Sequence, residues 1–455
     1  MGLSNALIAK YDKSKDAKER IKLLTNALMF STGEQFDSIL RKRKKEYLEA
    51  GSTSFALKDL QALNEKTKED TADIKKLSSI LTETDNLHIE NKSIEFKPHT
   101  FLKNFSENIR VEKETGRGRF LVAKKTIKPG EIIAMETSYA AVLGIRPPQW
   151  KVDVKFFFFA DREFVGTNCD HCLVRLGQYV LASPLCSRTQ YCSPECQVTA
   201  LRSHHRYESL VMDSLYRAGS GAWILAYRLV ATKSLGEWRE VERRLGEHNE
   251  ALGTEEGDIY ESGDILTVYN LVTHDSGTKR EPPLLMKESL TALFFLRCLQ
   301  SRHYFDSSPV KPGKLSSDEM FIARLLHHFM RVVFYNSHEV TELRPSEDSW
   351  SSNTIIKTGV AINPSLALIN HSCDPNYARV ERGIAVTAFS TREIPAGAEI
   401  LDVYSGTFVR SEMGQREEVH TRYNFQCRCE ACSQEWPGQN MLVHRAHNDY
   451  LRSYE

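Results

Sequence analysis

Cysteine spacing constrains this chain more than any other feature. Near its end runs Tyr423-Asn424-Phe425-Gln426-Cys427-Arg428-Cys429-Glu430-Ala431-Cys432. Three thiols spaced C-x-C-x-x-C look like three ligands of a tetrahedral zinc, which needs a fourth. Cys373, in the turn Asn370-His371-Ser372-Cys373, is the natural candidate. One metal would then tie the tail back onto a turn about fifty residues earlier in the chain and hold Tyr423 and Phe425 above it. A fold containing that junction must bring the two segments together, and the rest of the chain reads as what builds a cleft around them.

A second cluster precedes it. Cys169 and Cys172 form one close pair, and Cys192 and Cys196 another, across a loop. Two such pairs make a four-thiolate zinc site. Binding would stabilise so small a module by roughly 10 kcal/mol, beyond what its few apolar residues supply. Cys186 with His204 or His205 makes only part of a further site. The sequence has 10 cysteines, nearly all of them in these clusters, and it lacks an apolar secretion segment. That combination argues for reduced thiolates on metal and for the cytoplasm or nucleus. Lys+Arg and Asp+Glu both number 60. Neutral charge, with no basic recognition helix after the finger, argues against direct nucleic-acid binding. Apolar runs are far too short for a membrane span.

In chain order, residues 1–100 show apolar residues at helical spacing, as at Ile21, Leu24, Ala27 and Leu28 and at Phe55, Leu57, Leu60 and Leu63. This predicts two to four amphipathic helices. The run Arg41-Lys42-Arg43-Lys44-Lys45 is read as a solvated helix face, with a nuclear signal or acidic-partner patch as the alternative. From Thr115 the texture changes. Gly116-Arg117-Gly118 predicts a turn between short strands, and Lys128-Pro129-Gly130 a turn into another. Residues 222–340 read as mainly helical, with stripes over Trp223–Leu245, Leu284–Leu299 and Met320–Phe334. Strands are expected again at Thr354–Ile356, Thr358–Ile362, Gly383–Phe389 and Glu399–Tyr404. Helices inserted between runs of short strands indicate an α+β fold.

These motifs, in this order over roughly residues 107–435, resemble the SMYD family: SET-domain lysine methyltransferases whose SET domain is interrupted by a MYND zinc finger. The resemblance implies a helical N-terminal region (1–100), the N-terminal part of SET (107–168), a MYND finger (169–209), a helical SET insertion (210–340), the SET core (341–412), a zinc-binding post-SET segment (413–435) and a tail (436–455). It implies a shared post-SET zinc on Cys373, Cys427, Cys429 and Cys432, beside the finger zinc on Cys169, Cys172, Cys192 and Cys196. The family's second finger zinc would use Cys186 and His205, but Ser183 and Ser209 stand where its other two cysteines belong. Two zinc ions are therefore expected, with the third left open. The helices ahead of the SET region resemble one subgroup of the family, in which the C-terminal helical-repeat domain of other members is absent.

Carried over by position, the resemblance implies S-adenosylmethionine contacts at Gly116, Arg117, Gly118, Asn336, Asn370, His371, Tyr404, Tyr423 and Phe425, with Tyr423 catalytic and Tyr404 completing the pocket. The substrate would be a protein lysine, histone or not, with peptide partners for the finger. The alternative is a zinc-stapled adaptor whose SET site is vestigial.

Overall fold

The computed structural model describes residues 2–438 of the chain except 29, 32, 86–95, 115–117, 145–165, 178, 187, 219–220, 246–259, 274–281, 306–313, 345–353, 405–406, 410, 412 and 424. Gly116 and Arg117, and most of the tail assigned to 436–455, lie outside the described residues.

The N-terminal region holds five helices where the periodicity predicts two to four: α1 (Gly2–Tyr11), α2 (Ala17–Leu28), α3 (Gly33–Glu49), α4 (Thr53–Gln61) and α5 (Lys68–Asp85). Leu24, Ala27, Leu28, Leu57 and Leu60 are buried as their spacing requires. The solvated-face reading of the basic run is corrected at Arg43, which is fully buried and paired with Asp59 at 2.6 Å. Its neighbours are paired too. Arg41 meets Asp70, Lys42 meets Asp12, Lys44 meets Asp73 and Lys45 meets Glu49. Arg41, Arg43 and Lys44 tie α3 to neighbouring helices, while Lys45 pairs within α3 and stays solvated.

The strands β1 (Ile109–Glu114) and β2 (Gly118–Ala123) pair antiparallel, with Glu114 opposite Gly118, on either side of residues 115–117. Gly118 sits at φ +80°, where only glycine is unstrained. The Pro-Gly turn leads into β3 (Ile132–Thr137), followed by β4 (Ala140–Leu143). The finger contributes the short pair β5 (Leu181–Ala182) and β6 (Gln190–Tyr191) and helix α6 (Pro194–Arg202). After α7 (His205–Glu208) and α8 (Met212–Ala218), the stripe from Trp223 to Leu245 proves to be two helices, α9 (Gly221–Ala231) and α10 (Leu235–Leu245). The break falls at Thr232-Lys233-Ser234, and Ser234 caps the second helix by accepting from Glu237 N–H. Then come α11 (Ile265–Tyr269), α12 (Pro282–Ser301) and α13 (Ser317–Asn336), the last opened by a Ser316/Glu319 capping box.

Strand β7 (Ser337–Arg344) begins inside the stretch read as helical. It pairs with β8 (Thr354–Ile362), which is one continuous strand where two were expected. The β-branched Val340 and Thr341 favour extension once α13 ends. The remaining strands are β9 (Asn370–His371), β10 (Tyr377–Arg382), β11 (Ala385–Ser390) and β12 (Leu401–Asp402), the last much shorter than the predicted Glu399–Tyr404. Helices α14 (Met413–Arg422) and α15 (Glu430–Ser433) close the described chain.

Two three-stranded sheets, β4-β8-β7 and β10-β11-β3, form the centre. The larger apolar core lies between the inserted helices and β4–β8, with Trp223, Tyr227, Phe295 and Phe329 buried. A second core gathers Leu121, Ile133, Leu366, Ile369, Tyr377 and Ile400. The fold is α+β, as the element order implies.

Candidate active site and metal centres

The tail cluster forms as its spacing requires. Sulfurs of Cys373, Cys427, Cys429 and Cys432 all lie within 4.8 Å of one another, with Cys373 and Cys432 3.5 Å apart. Zinc–sulfur bonds of about 2.3 Å arranged tetrahedrally put sulfurs roughly 3.8 Å apart, so the cluster fits that ion. Within the cluster, hydrogen bonding from Cys373 lowers the Cys427 thiol, while hydrogen bonding to Cys427 raises that of Cys373 and burial raises that of Cys432, so these thiols share protons as one group. Arg416 supports the tail from α14: it is buried and donates to the carbonyls of Ala431 and Trp436.

The turn carrying Cys373 is held rigidly. β9 pairs in parallel with β12, Asn370 opposite Leu401 and His371 opposite Asp402. Ser372 N–H donates to the Asp402 carbonyl at 2.7 Å. Asn376 brackets the strand, donating to the Glu399 carbonyl and accepting from Leu401 N–H. The Asn370 amide donates to the Glu399 carboxylate at 3.1 Å. His371 Nδ1 accepts from Tyr404 N–H at 3.0 Å, which leaves Nε2, 3.4 Å from the Cys373 sulfur, to carry the proton. His371 thus supports a metal ligand and orients Tyr404 at once.

Over this turn stands a group of rings. His371 and Tyr404 centroids are 5.3 Å apart, His371 and Phe425 5.7 Å, Tyr404 and Phe425 6.3 Å, and Tyr404 and Tyr423 5.3 Å. Tyr404 donates its hydroxyl to the Ile369 carbonyl at 2.8 Å and so presents ring rather than oxygen. Burial raises its pKa, keeping the phenol neutral. The four residues predicted from motifs therefore converge.

Tyr335 joins them, 6.4 Å from Tyr423. Its neighbour Asn336 is the residue that the sequence singled out. That amide nitrogen is engaged by the carbonyls of Val272 and Val332. No motif marks Tyr335, the penultimate residue of α13. Gly118 opens β2, opposite Glu114.

The finger cluster is equally compact: the sulfurs of Cys169, Cys172, Cys192 and Cys196 lie within 4.8 Å of one another. Its construction is local. Leu173, at φ +60°, turns the first knuckle, and Ser193 caps α6 by accepting from Cys196 N–H, which sets Cys196 one turn beyond Cys192. Ser183, where a further metal ligand was in question, instead hydrogen bonds His205 Nε2 at 2.8 Å. Cys186 Sγ lies 3.7 Å from His205 Nε2, and among the described residues no third His, Cys, Asp or Glu joins the pair. Asp170, His204 and Glu208 do form a third group, but the buried Arg228 guanidinium already neutralises Asp170 and Glu208.

Comparison with known proteins bears on the same segments. The SET domain family matches residues 118–405. Over 387 residues, 73% of this chain, the sequence is 25% identical to protein-lysine N-methyltransferase SMYD4 of Danio rerio, covering 50% of that protein. The human protein of that name is 25% identical and is covered over 47% of its length. Histone-lysine N-methyltransferase SMYD3 of Mus musculus is 26% identical, over 74% of this chain and 64% of its own. The chain thus spans about half the length of the first two relatives.

Proposed function

Because this chain belongs to the SET-domain family, in its SMYD group, we propose that it transfers methyl groups from S-adenosylmethionine to lysine side chains of proteins. The observation that carries this reading is the convergence of Tyr404, Tyr423, Phe425 and His371 over a turn stapled by the tail thiols. The subgroup with helices ahead of its SET region is part of the same proposal.

Bound S-adenosylmethionine supplies a methyl already activated on a positively charged sulfur. The chain must bind that cation, exclude water and receive an uncharged amine. Aromatic faces attract such cations by about 0.5–2 kcal/mol each, and Tyr404, Tyr423, Tyr335 and Phe425 provide them. In this reading Gly116, Arg117, Gly118, Asn336, Asn370 and His371 hold the cofactor. A lysine amine has a pKa near 10.4 in water, and desolvation by these rings lowers it. Tyr423, between Tyr404 and Tyr335, is the residue we place at the transferring methyl. Aligning two reactants in this way lowers a barrier by roughly 7–11 kcal/mol. No residue is assigned as general base.

Peptide partners of the finger belong to this proposal as well. They would use the finger surface that the N-terminal helices leave open, since Tyr179, Leu181, Ala182 and Tyr191 share one buried cluster with those helices. The compartment proposed is cytoplasm or nucleus; no described helix is long and apolar enough to cross a membrane.

The test is methyl transfer from labelled S-adenosylmethionine to histones and to lysate proteins, with Tyr423→Phe beside wild type. Incorporation by wild type and a drop of about a hundredfold in the variant is the expected result; equal incorporation would remove Tyr423 from its role. Absence of cofactor-binding heat in calorimetry would leave a zinc-stapled scaffold.

A further inference from the structure

Asn370 and His371 are preceded by a tight turn, Asn363-Pro364-Ser365-Leu366-Ala367-Leu368-Ile369, whose middle is the 3-10 helix Leu366–Leu368. Four side chains from three separate segments grip it. Glu136, on β3, accepts Ser365 N–H at 2.8 Å on one oxygen and Leu366 N–H at 3.1 Å on the other. Ser138, two residues on, donates to Asn363 Oδ1 at 2.6 Å. Tyr260 donates its hydroxyl to the Pro364 carbonyl at 2.8 Å. Asn104 Oδ1 accepts from the Ser365 hydroxyl at 3.2 Å and from Ser262 N–H at 3.1 Å. These are long-range ties, with Glu136 more than 220 residues from its partners.

Glu136 is the unusual member. It is 4% exposed, and among the described residues no ion pair neutralises it. Burial pushes its carboxyl up to about 7, against the two backbone donors that favour the charged form. A buried carboxylate without a counter-ion is costly. Satisfying two adjacent backbone N–H groups needs two acceptors at fixed spacing, which a carboxylate provides in one residue. The far end of the turn bears directly on the aromatic site. The Ile369 carbonyl receives the Tyr404 hydroxyl, and the next two residues are Asn370 and His371.

We propose that Glu136 is a positioning residue for the cofactor edge: by clamping Ser365 and Leu366 it fixes where Ile369, Asn370 and His371 stand, with Ser138 as its auxiliary. This rests on the methyltransferase reading above. Cofactor affinity then depends on a side chain of the β10-β11-β3 sheet that acts through this turn and not from within the group of rings.

The experiment measures S-adenosylmethionine binding by calorimetry and steady-state transfer for full-length wild type, Glu136→Gln, Glu136→Asp and Ser138→Ala, with zinc content and thermal midpoint recorded for each. Glu136→Gln keeps the volume and one acceptor but turns an amide N–H toward a backbone N–H. Cofactor affinity and KM for the cofactor should worsen about tenfold or more, while the rate at saturating cofactor and the KM for protein substrate change less than threefold. Glu136→Asp, which keeps both oxygens, should recover part of the affinity, and Ser138→Ala should lose less than Glu136→Gln. Unchanged cofactor affinity in folded, zinc-loaded Glu136→Gln overturns the proposal and leaves the methyltransferase reading intact. An equal fall in kcat and in both KM-derived affinities also overturns it, since that is what general loosening produces. If Glu136→Gln fails to fold, unchanged affinity in both Ser138→Ala and Glu136→Asp overturns it. Wild type that binds no cofactor sinks the underlying reading instead.

Discussion

The two sulfur clusters share a ligand set and differ in what they hold together. The finger takes its four cysteines from a single stretch, 169 to 196, so its metal closes a local loop. The tail cluster joins Cys373 to a trio beginning at Cys427, so its metal closes a loop of more than fifty residues that contains Tyr404 and Tyr423. Their surroundings differ in step. The finger is embedded in an apolar cluster built with the N-terminal helices, while the apolar residues grouped with the tail sulfurs among the described residues are fewer: Ala431, Phe408, Met413 and Trp436. A locally closed, well-packed site can lose its metal and leave the aromatic group in place. A site that depends on its metal to bring the tail home cannot. The finger side should govern stability and the tail side cofactor binding.

Metal removal is the most severe way to break that contrast, because structural zinc contributes on the order of 10 kcal/mol or more. Cys373→Ser should lower zinc by one ion per chain and abolish cofactor-binding heat. Cys192→Ser should lower zinc by the same amount and depress the thermal midpoint, yet retain a measurable cofactor isotherm. Zinc analysis and calorimetry on the two variants decide it. If both lose cofactor binding alike, the clusters are one cooperative unit and the division fails.

Arg43 sharpens the comparison from the finger side. Its guanidinium pairs with Asp59 at 3.0 and 2.6 Å, and also donates to Thr25 Oγ1 and to the Val180 carbonyl of the finger. It lies against the rings of Tyr47 and Tyr179. Removing one partner of a buried pair destabilises by about 3–5 kcal/mol. Arg43→Met should show that loss in denaturant unfolding, with cofactor affinity within threefold of wild type. A tenfold loss of affinity would mean that the N-terminal helices reach the aromatic site through the finger. Gly383 marks where such a path would run. At φ +60°, an added Cβ there would stand 2.0 Å from the Cys172 carbonyl, so the β10–β11 turn abuts the first knuckle.

The same contrast explains what was legible in the sequence. Both clusters could be read directly, because thiolate spacing is dictated by the metal and hardly at all by the fold around it. Tyr404, Tyr423, Phe425 and the Asn370–His371 turn came with a motif order that resembles a family. Arg43 was misread because helical periodicity registers charge but is silent on which charges meet across 16 residues of chain. Tyr335, Glu136 and Arg416 act through tertiary contacts with no local pattern. The break at 232–234 and strand β7 went unseen because a continuous apolar stripe and a helix-to-strand junction look alike until caps and partners are known.

The mildest test concerns the tail side. Tyr404 makes one hydrogen bond to the Ile369 carbonyl, and its ring stands between His371 and Tyr423. Tyr404→Phe keeps the ring faces and removes the anchor, leaving that carbonyl without this donor. Loss of such a bond is worth roughly 1–3 kcal/mol when a buried partner is left unsatisfied. Part of that falls on stability and part on the placement of the ring. Cofactor affinity should therefore weaken by about three- to tenfold in calorimetry, with zinc content unchanged. If affinity holds and the loss appears wholly in unfolding, Tyr404 is a brace like Arg43, and the line between the stabilising and the cofactor-binding sides must be moved to exclude it.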